Sequence, residues 1–469
     1  MKMIAHRLSR AAGSLVVGLG SIVAASAVNA AELLDRAVLP AATFAPGPTS
    51  GQFTSGANGF ATPFVNQQPV QGFSAVLPGP RKGTYLVMPD NGFGSKSSSP
   101  DALLRVYAVK PEFNTGKVVP INRLSGDELG SFSPPSYITL SDPWHRIPFT
   151  IVADLAEYPG TAIGGGKIAV DSSIRARRLL TGADFDIESI RRAADGSLWF
   201  GDEFGPYLVH TDSDGRVLEA PIPMPNLRGF PSTLGGTAIN PLVQSPSNPQ
   251  LASASNANLP DSGGLEGMAL NTSRTKLYGL LEKAMSGDPV RERRIMSEFS
   301  LLSHSYTGKT FAYIMDDPGY SIGDMTALSD KEFLIIERDP GQGDASDPRF
   351  TSPARFKKIF KVALDHVDTN GNLIKEEVAD LLNIYDPRDV AADGRINTVF
   401  TFPFQTIEDL LVLDNNTLLV INDNNFPFSV GRAFGAADNN EFITIHTAPL
   451  LSKDDDDCGR WRDGDDCRH

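Results

Sequence analysis

Asp186-Ile187-Glu188-Ser189-Ile190 leads through a turn at Asp195-Gly196 into Leu198-Trp199-Phe200-Gly201-Asp202-Glu203. An acid opens a short apolar strand, and a second acid follows at the end of the next. The pattern returns in Gly264-Leu265-Glu266-Gly267-Met268 with Leu277 to Glu282, in Ile322-Gly323-Asp324-Met325 with Phe333 to Glu337, and in Ile407-Glu408-Asp409-Leu410 with Leu418 to Asp423. A degenerate copy stands first, Phe73-Ser74-Ala75-Val76 with Tyr85 to Asp90.

The paired positions lie 15 residues apart from Glu188 to Glu203 and from Glu408 to Asp423, 16 from Glu266 to Glu282 and from Ser74 to Asp90, and 13 from Asp324 to Glu337. A hairpin brings the start of its first strand beside the end of its second, so each pair is expected at one end of its own hairpin. Copies that recur every ~60 to 115 residues exceed a solenoid repeat. They fit an all-β fold, a single β-propeller of radial four-stranded sheets with long loops between them. The expectation is six blades, the sixth hidden between Leu103 and Asp171, with seven as the alternative.

In that arrangement Asp90, Glu188, Glu203, Glu266, Glu282, Asp324, Glu337, Glu408 and Asp423 converge at one mouth of the central channel. So many like charges in one place require cations or large pKa shifts. Calcium takes six to eight oxygen ligands in flexible geometry, whereas zinc favours His or Cys, and neither recurs in these repeats. The expected cofactor is therefore calcium, with these nine carboxylates as ligands.

Lys2, Arg7 and Arg10 precede an apolar stretch from Ala11 to Val28, and Val28-Asn29-Ala30 offers small residues for cleavage. Residues 1–30 read as a signal peptide, residues 31–451 as the propeller domain and 452–469 as an acidic tail. The expected location is periplasmic or secreted, and no later stretch is long and apolar enough for a membrane span. Loss of the leader removes three positive charges and takes the formal net charge from -14 to -17. Nucleic-acid binding is disfavoured, because phosphate backbones demand Lys and Arg stripes. The only two cysteines, Cys458 and Cys467, lie in the tail, and in an oxidising compartment they are expected to form a disulfide.

Long helical periodicity is scarce. Val378, Leu381 and Leu382 fit a helical face over Lys375 to Asn383, while the Asn-, Ser-, Pro- and Gly-rich segment from Pro225 to Gly264 reads as a long insertion between blades. Asp368-Thr369-Asn370-Gly371-Asn372 nearly fits a calcium loop but has His366 where Asp should begin, so a β-turn is expected there.

The run from Leu180 to Ile190, followed by Asp195 to Pro206, resembles the signature of the bacterial phytase-like family described as esterase-like activity of phytase. Gly264 to Leu270 and Ile322 to Leu328 resemble its later motifs, and the similarity covers roughly residues 45 to 445. The resemblance implies a secreted or periplasmic β-propeller that hydrolyses phosphoesters or carboxyl esters.

From the residues themselves, a metal-filled acidic mouth can polarise a phosphoryl or carbonyl oxygen without a protein nucleophile. No Gly-x-Ser-x-Gly elbow is present. Glu188, Glu203 and Glu266 are the candidate catalytic carboxylates, and His210 is the candidate proton donor. The residues next to the second acids include Lys283 and Arg338, which are candidate substrate-binding cations. The leading expectation is a calcium-dependent hydrolase acting on a small phosphoester. The alternatives are a calcium-dependent lactonase or arylesterase, and a non-catalytic calcium-stabilised binding module.

Overall fold

A computed structural model describes residues 30–451 apart from Asp393. The expected signal peptide, and the tail with Cys458 and Cys467 and their expected disulfide, lie outside the described residues. Almost all regular structure is β, and the α-helix among the described residues is the six-residue segment Ser172–Arg177.

After an N-terminal strand β1 (Glu32–Leu39), the chain forms successive antiparallel meanders. The first comprises β2 (Phe73–Pro78), β3 (Tyr85–Pro89), β4 (Arg105–Glu112) and β5 (Lys117–Pro120), and the second β6 (Ile187–Arg192), β7 (Leu198–Asp202), β8 (Tyr207–Thr211) and β9 (Ile222–Pro223). The third holds β10 (Gly267–Leu270), β11 (Lys276–Leu280), β12 (Arg293–Ser300) and β13 (Ser305–Ile314). The fourth holds β14 (Ser321–Ala327), β15 (Glu332–Arg338), β16 (Lys357–Ala363) and β17 (Glu376–Asp380). The last comprises β18 (Asp409–Asp414), β19 (Thr417–Ile421) and β20 (Asn440–His446), and it takes β1 as its outer strand, in register from Glu32 opposite His446 to Leu39 opposite Asn440. A parallel bridge between Val38 and Lys117 links this last meander to the first in one eleven-stranded sheet.

The first strands of the meanders are neighbours in a closed cycle: β2 lies against β6, β6 against β10, β10 against β14, β14 against β18 and β18 against β2. Apolar side chains fill each gap in that cycle. Ala75, Leu86, Ile190 and Phe200 pack between the first and second meanders. Trp199, Met268 and Phe299 pack between the second and third, and Tyr278, Met325 and Phe333 between the third and fourth. Leu334, Ile336, Leu410 and Val420 join the fourth to the fifth, and Val76, Val87, Leu419 and Phe442 join the fifth to the first. Because each sheet is covered on both faces, β3, β7 and β8 are buried along their whole length and lack the alternation of a half-exposed strand.

Two expectations are corrected here. Leu103 to Asp171 is not a further repeat: its strands β4 and β5, with Tyr137–Thr139 paired to β4, complete the first meander, and most of the remainder is loop. Lys375 to Asn383 is not helical either, since Glu376–Asp380 pairs with β16, with Ala379 opposite Ile359. The unpaired edge of β16 supplies backbone partners that outweigh a three-residue apolar spacing. The Pro225 to Gly264 segment is an irregular excursion, tied down by Ser245 Oγ donating to the Phe204 carbonyl at 2.8 Å and Asn248 Nδ2 to that of Gly205 at 2.6 Å. Asp368 to Asn372 is a turn, with Asp368 accepting from the Asn372 amide.

Candidate acidic site at the ends of the inner strands

The register of the hairpins decides which side chains meet. Ser189 stands opposite Gly201, Gly267 opposite Leu280, Asp324 opposite Ile336, Asp409 opposite Ile421 and Ala75 opposite Met88, so these are equivalent positions. The residue before each of them is Glu188, Glu266, Gly323, Glu408 or Ser74. In the first, second and fourth hairpins a β-bulge falls at this residue, a device that re-aims a side chain.

Asp324 is thus one place out of line with Glu188, and Glu337 one place short of the second acid. Gly323 and Arg338, fifteen residues apart, occupy the acid positions of the fourth repeat. Glu337 faces away from the site and accepts from Tyr313 Oη and Lys375 Nζ, each at 2.8 Å. Asp324 lies one residue deeper, accepting from the Leu410 amide at 2.9 Å and from Arg191 Nη2 at 3.1 Å. Arg191 reaches from the second meander to the fourth and there also donates to the Met325 carbonyl. Beside it, both carboxylate oxygens of buried Asp409 lack a hydrogen-bond partner.

The other acids converge. Single oxygens of Glu188, Glu266 and Glu408 lie within 4.8 Å of one another, and so do those of Asp90, Asp186 and Glu188. Asp186 was not among the expected ligands; it stands two residues before Glu188, just ahead of β6. Glu203 Oε1 accepts the Gly264 amide at 3.0 Å, and a Cβ on Gly264 would lie 2.4 Å from the Glu203 Cα, so that contact needs glycine. Asp423 is held by the Asn425 amide at 2.7 Å and by Thr406 Oγ1 at 3.0 Å. Gly72, at φ +72°, leaves room for Asp423 and Asp90, whose oxygens would stand 3.2 and 3.7 Å from a Cβ there.

Arg338 sits inside this group: its Nη2 is 2.6 Å from Glu408, 3.4 Å from Glu282 and 3.8 Å from Glu266. Burial opposes its charge, but Glu408, Glu282 and Glu266 raise its pKa. Lys283 Nζ is 3.2 Å from Glu282 and also donates to Ser321 Oγ. His210 is not part of the site. Its Nδ1 is 2.7 Å from Glu219, and its ring stacks on Trp199.

One guanidinium and one ammonium do not balance the acids. Burial, followed by mutual repulsion, holds Asp90, Glu188, Glu203 and Glu266 well above the ordinary carboxylate range. Burial pushes Glu408 up to about 8 even against Arg338, and Asp423 to about 7. Glu266 Oε1 is buried without a hydrogen-bond partner. The group must therefore keep protons or take up a cation. Its donors are all oxygens at flexible separations, which fits calcium better than zinc.

Beside the acids opens a cavity of about 570 Å³, with Asp186 on its wall. Phe149, Ile151, Val152, Leu155 and Phe204 form its apolar lining. Lys96, on the same wall, donates to the Ser247 carbonyl at 2.8 Å and lies 5.2 Å from the Phe204 ring centre.

Comparison with known proteins places this chain in a family. The phytase-like model described as esterase-like activity of phytase matches residues 68–426, a span that holds every acid named above. The chain belongs to this phytase-like family. It is also 26% identical, over 215 residues, to a protein of the fungus Arthroderma benhamiae named only as an uncharacterized secreted protein. That match takes in 41% of this chain and 40% of the relative, so it spans less than half of either. Among solved structures, a protein of unknown function from Dyadobacter fermentans is 11% identical with a TM-score of 0.37, covering 90% of this chain and 100% of that one. A luciferin-regenerating enzyme is 11% identical with a TM-score of 0.34, covering 80% and 91%.

Proposed function

We propose that this chain is an exported, cation-dependent hydrolase of ester bonds, acting at the acidic mouth of a five-bladed propeller closed by its N-terminal strand. The closed cycle of first strands supports the blade count, with an apolar layer in every gap. The observation that carries the functional reading is the buried meeting of Glu188, Glu266 and Glu408, with one Glu266 oxygen lacking a hydrogen bond. Asp90, Asp186, Glu188, Glu266 and Glu408 are the residues that would hold calcium. When bound, such a cation supplies Lewis-acid polarisation of a phosphoryl or carbonyl oxygen.

The remaining roles belong to the chain's own groups. Glu203, fixed by the Gly264 amide and pushed well above the ordinary carboxylate range by burial and its acidic neighbours, is placed to give or take a proton. Arg338 inside the acidic group and Lys283 at its edge supply positive charge for a developing oxyanion or a phosphate. The cavity beside Asp186 gives the organic part of an ester an apolar seat while Lys96 contributes one charge. That lining suits a small aryl or alkyl ester or phosphoester better than a polyanion, and favours the lactonase or arylesterase reading as the second choice. The leader in residues 1–30 and the secreted relative support export.

A panel of p-nitrophenyl phosphate, p-nitrophenyl esters and lactones, each assayed with and without chelator, tests the reading. Phosphoester turnover lost in chelator and restored by calcium supports it. Calcium-dependent turnover confined to esters or lactones moves the second choice to first. Turnover indifferent to chelation, or none at all, overturns it.

A further inference from the structure

At the other end of the second meander, two histidines and a glutamate meet between neighbouring sheets. His210, on β8, stands opposite Trp199 of β7, three residues back from the Asp202-Glu203 end that faces the acids. His304 is in the turn joining β12 to β13, next to Ser305, whose partner Ser300 stands opposite Lys276 at the far end of β11 from Glu282. Glu219 follows β8 and links them, its Oε1 lying 2.7 Å from His210 Nδ1 and 2.8 Å from His304 Nδ1.

We propose that His210, Glu219 and His304 form a binding site for a borderline divalent transition metal of the zinc class, separate from the acidic mouth. The donor chemistry differs from the mouth in the way that matters: two imidazole nitrogens and one carboxylate are a zinc-type set, and zinc prefers nitrogen to the all-oxygen shell that suits calcium. The ligand atoms all lie within 4.8 Å of one another. Tetrahedral bonds of 2.0–2.1 Å put ligands about 3.3 Å apart, so each of the two His–Glu pairs need open by only about half an ångström.

The surroundings hold the donors in place. The His210 ring lies parallel to Trp199, 4.0 Å between centres and 11° between planes, and the His304 ring stands edge-on to both at 5.2 Å. Without an ion His210 Nδ1–H donates to Glu219 Oε1, so the same nitrogen and oxygen already face each other, and a bound ion would take the place of that proton. His304 holds the left-handed conformation, φ +46°, at the tip of its turn, a backbone state that histidine adopts less readily than glycine. With its side chain 43% exposed, it leaves a route for the ion and room for water as a fourth ligand.

The test is calorimetric titration of the full chain with zinc chloride, with millimolar calcium present so that oxygen sites are already filled, alongside cobalt(II) absorption spectra. His304→Asn keeps a residue that tolerates the left-handed turn, and Glu219→Gln keeps shape while removing the charge. The expected result is one zinc equivalent that persists in calcium, a tetrahedral cobalt spectrum, and at least a tenfold loss of affinity for that equivalent in both variants, on the order of a ligand-shell mutation. Identical isotherms and spectra in the wild type and in folded His304→Asn overturn the proposal, as does zinc uptake that calcium abolishes. Because the readout is binding, ester turnover does not enter the outcome.

Discussion

Replacing Glu266 by Gln separates the charge of this group from its shape. In chelator burial, and then Glu408, Glu282 and Glu203, push the wild-type carboxyl well above the ordinary carboxylate range, so at mildly acid pH a neutral amide replaces a neutral acid. The variant should then melt at or slightly above the wild-type temperature. Calcium changes the comparison, because a ligand at a hundred times its dissociation constant stabilises the native state by about 2.7 kcal/mol. Loss of one anionic ligand that weakens binding about a hundredfold removes nearly all of that gain. The unfolding entropy of ~420 ordered residues, at about 2.1 cal/mol/K each, is about 0.9 kcal/mol/K, so the calcium-induced rise should be about 3 °C in the wild type and under about 1 °C in Glu266→Gln. Differential scanning calorimetry with EDTA and then with calcium reads both numbers. An equal calcium-induced rise in the two proteins, or a variant several degrees less stable in EDTA, would refute the reasoning.

The raised carboxyls also set a pH dependence. Their folded pKa values, about 7 for Asp423 and about 8 for Glu408, lie above the unfolded values near 4, so between about pH 5 and 8 the folded state keeps protons that the unfolded chain has released. In chelator, stability should fall as pH rises through that window, by about 1.4 kcal/mol per unit for each retained proton, and denaturant titrations should find the slope flattened by calcium. Arg338→Gln removes the buried cation 2.6 Å from Glu408 and should cost about 3–5 kcal/mol in EDTA above about pH 8, where that carboxyl ionises, and less at pH 6, read from urea midpoints, with partial recovery in calcium. Gly264→Ala forces a methyl against the Glu203 backbone and should cost about 1–3 kcal/mol by the same measurement.

The acidic hairpin ends were legible because a Glu recurs at one register in three hairpins, at Glu188, Glu266 and Glu408, a pattern solubility alone does not demand. The fourth repeat was misaligned because acids were matched to acids. Aligning the apolar residues instead, Ile322 with Ile187, Leu265 and Ile407, puts Gly323 at the acid place and Arg338 fifteen residues on, and the short spacing of 13 to Glu337 was the visible sign. The deeper link from Arg191 to Asp324 was beyond reach, since it joins residues 133 apart across the ring. The expected sixth repeat came from reading Leu103 to Asp171 as blade-length chain, although it carries no acid-headed hairpin and its strands finish the first sheet. The cavity by Asp186 was likewise hidden, because its walls come from loops near residues 96, 150, 204 and 248 that no local pattern connects.

The most direct measurement is a crystal of the full chain grown in calcium, or soaked in a lanthanide that replaces it, with anomalous data collected. The account predicts a peak bounded by oxygens of Glu188, Glu266 and Glu408, at the 2.3–2.6 Å distances of a calcium shell, weakened or gone in Glu266→Gln. An anomalous map empty at that point in crystals where the three carboxylates keep their places would contradict it.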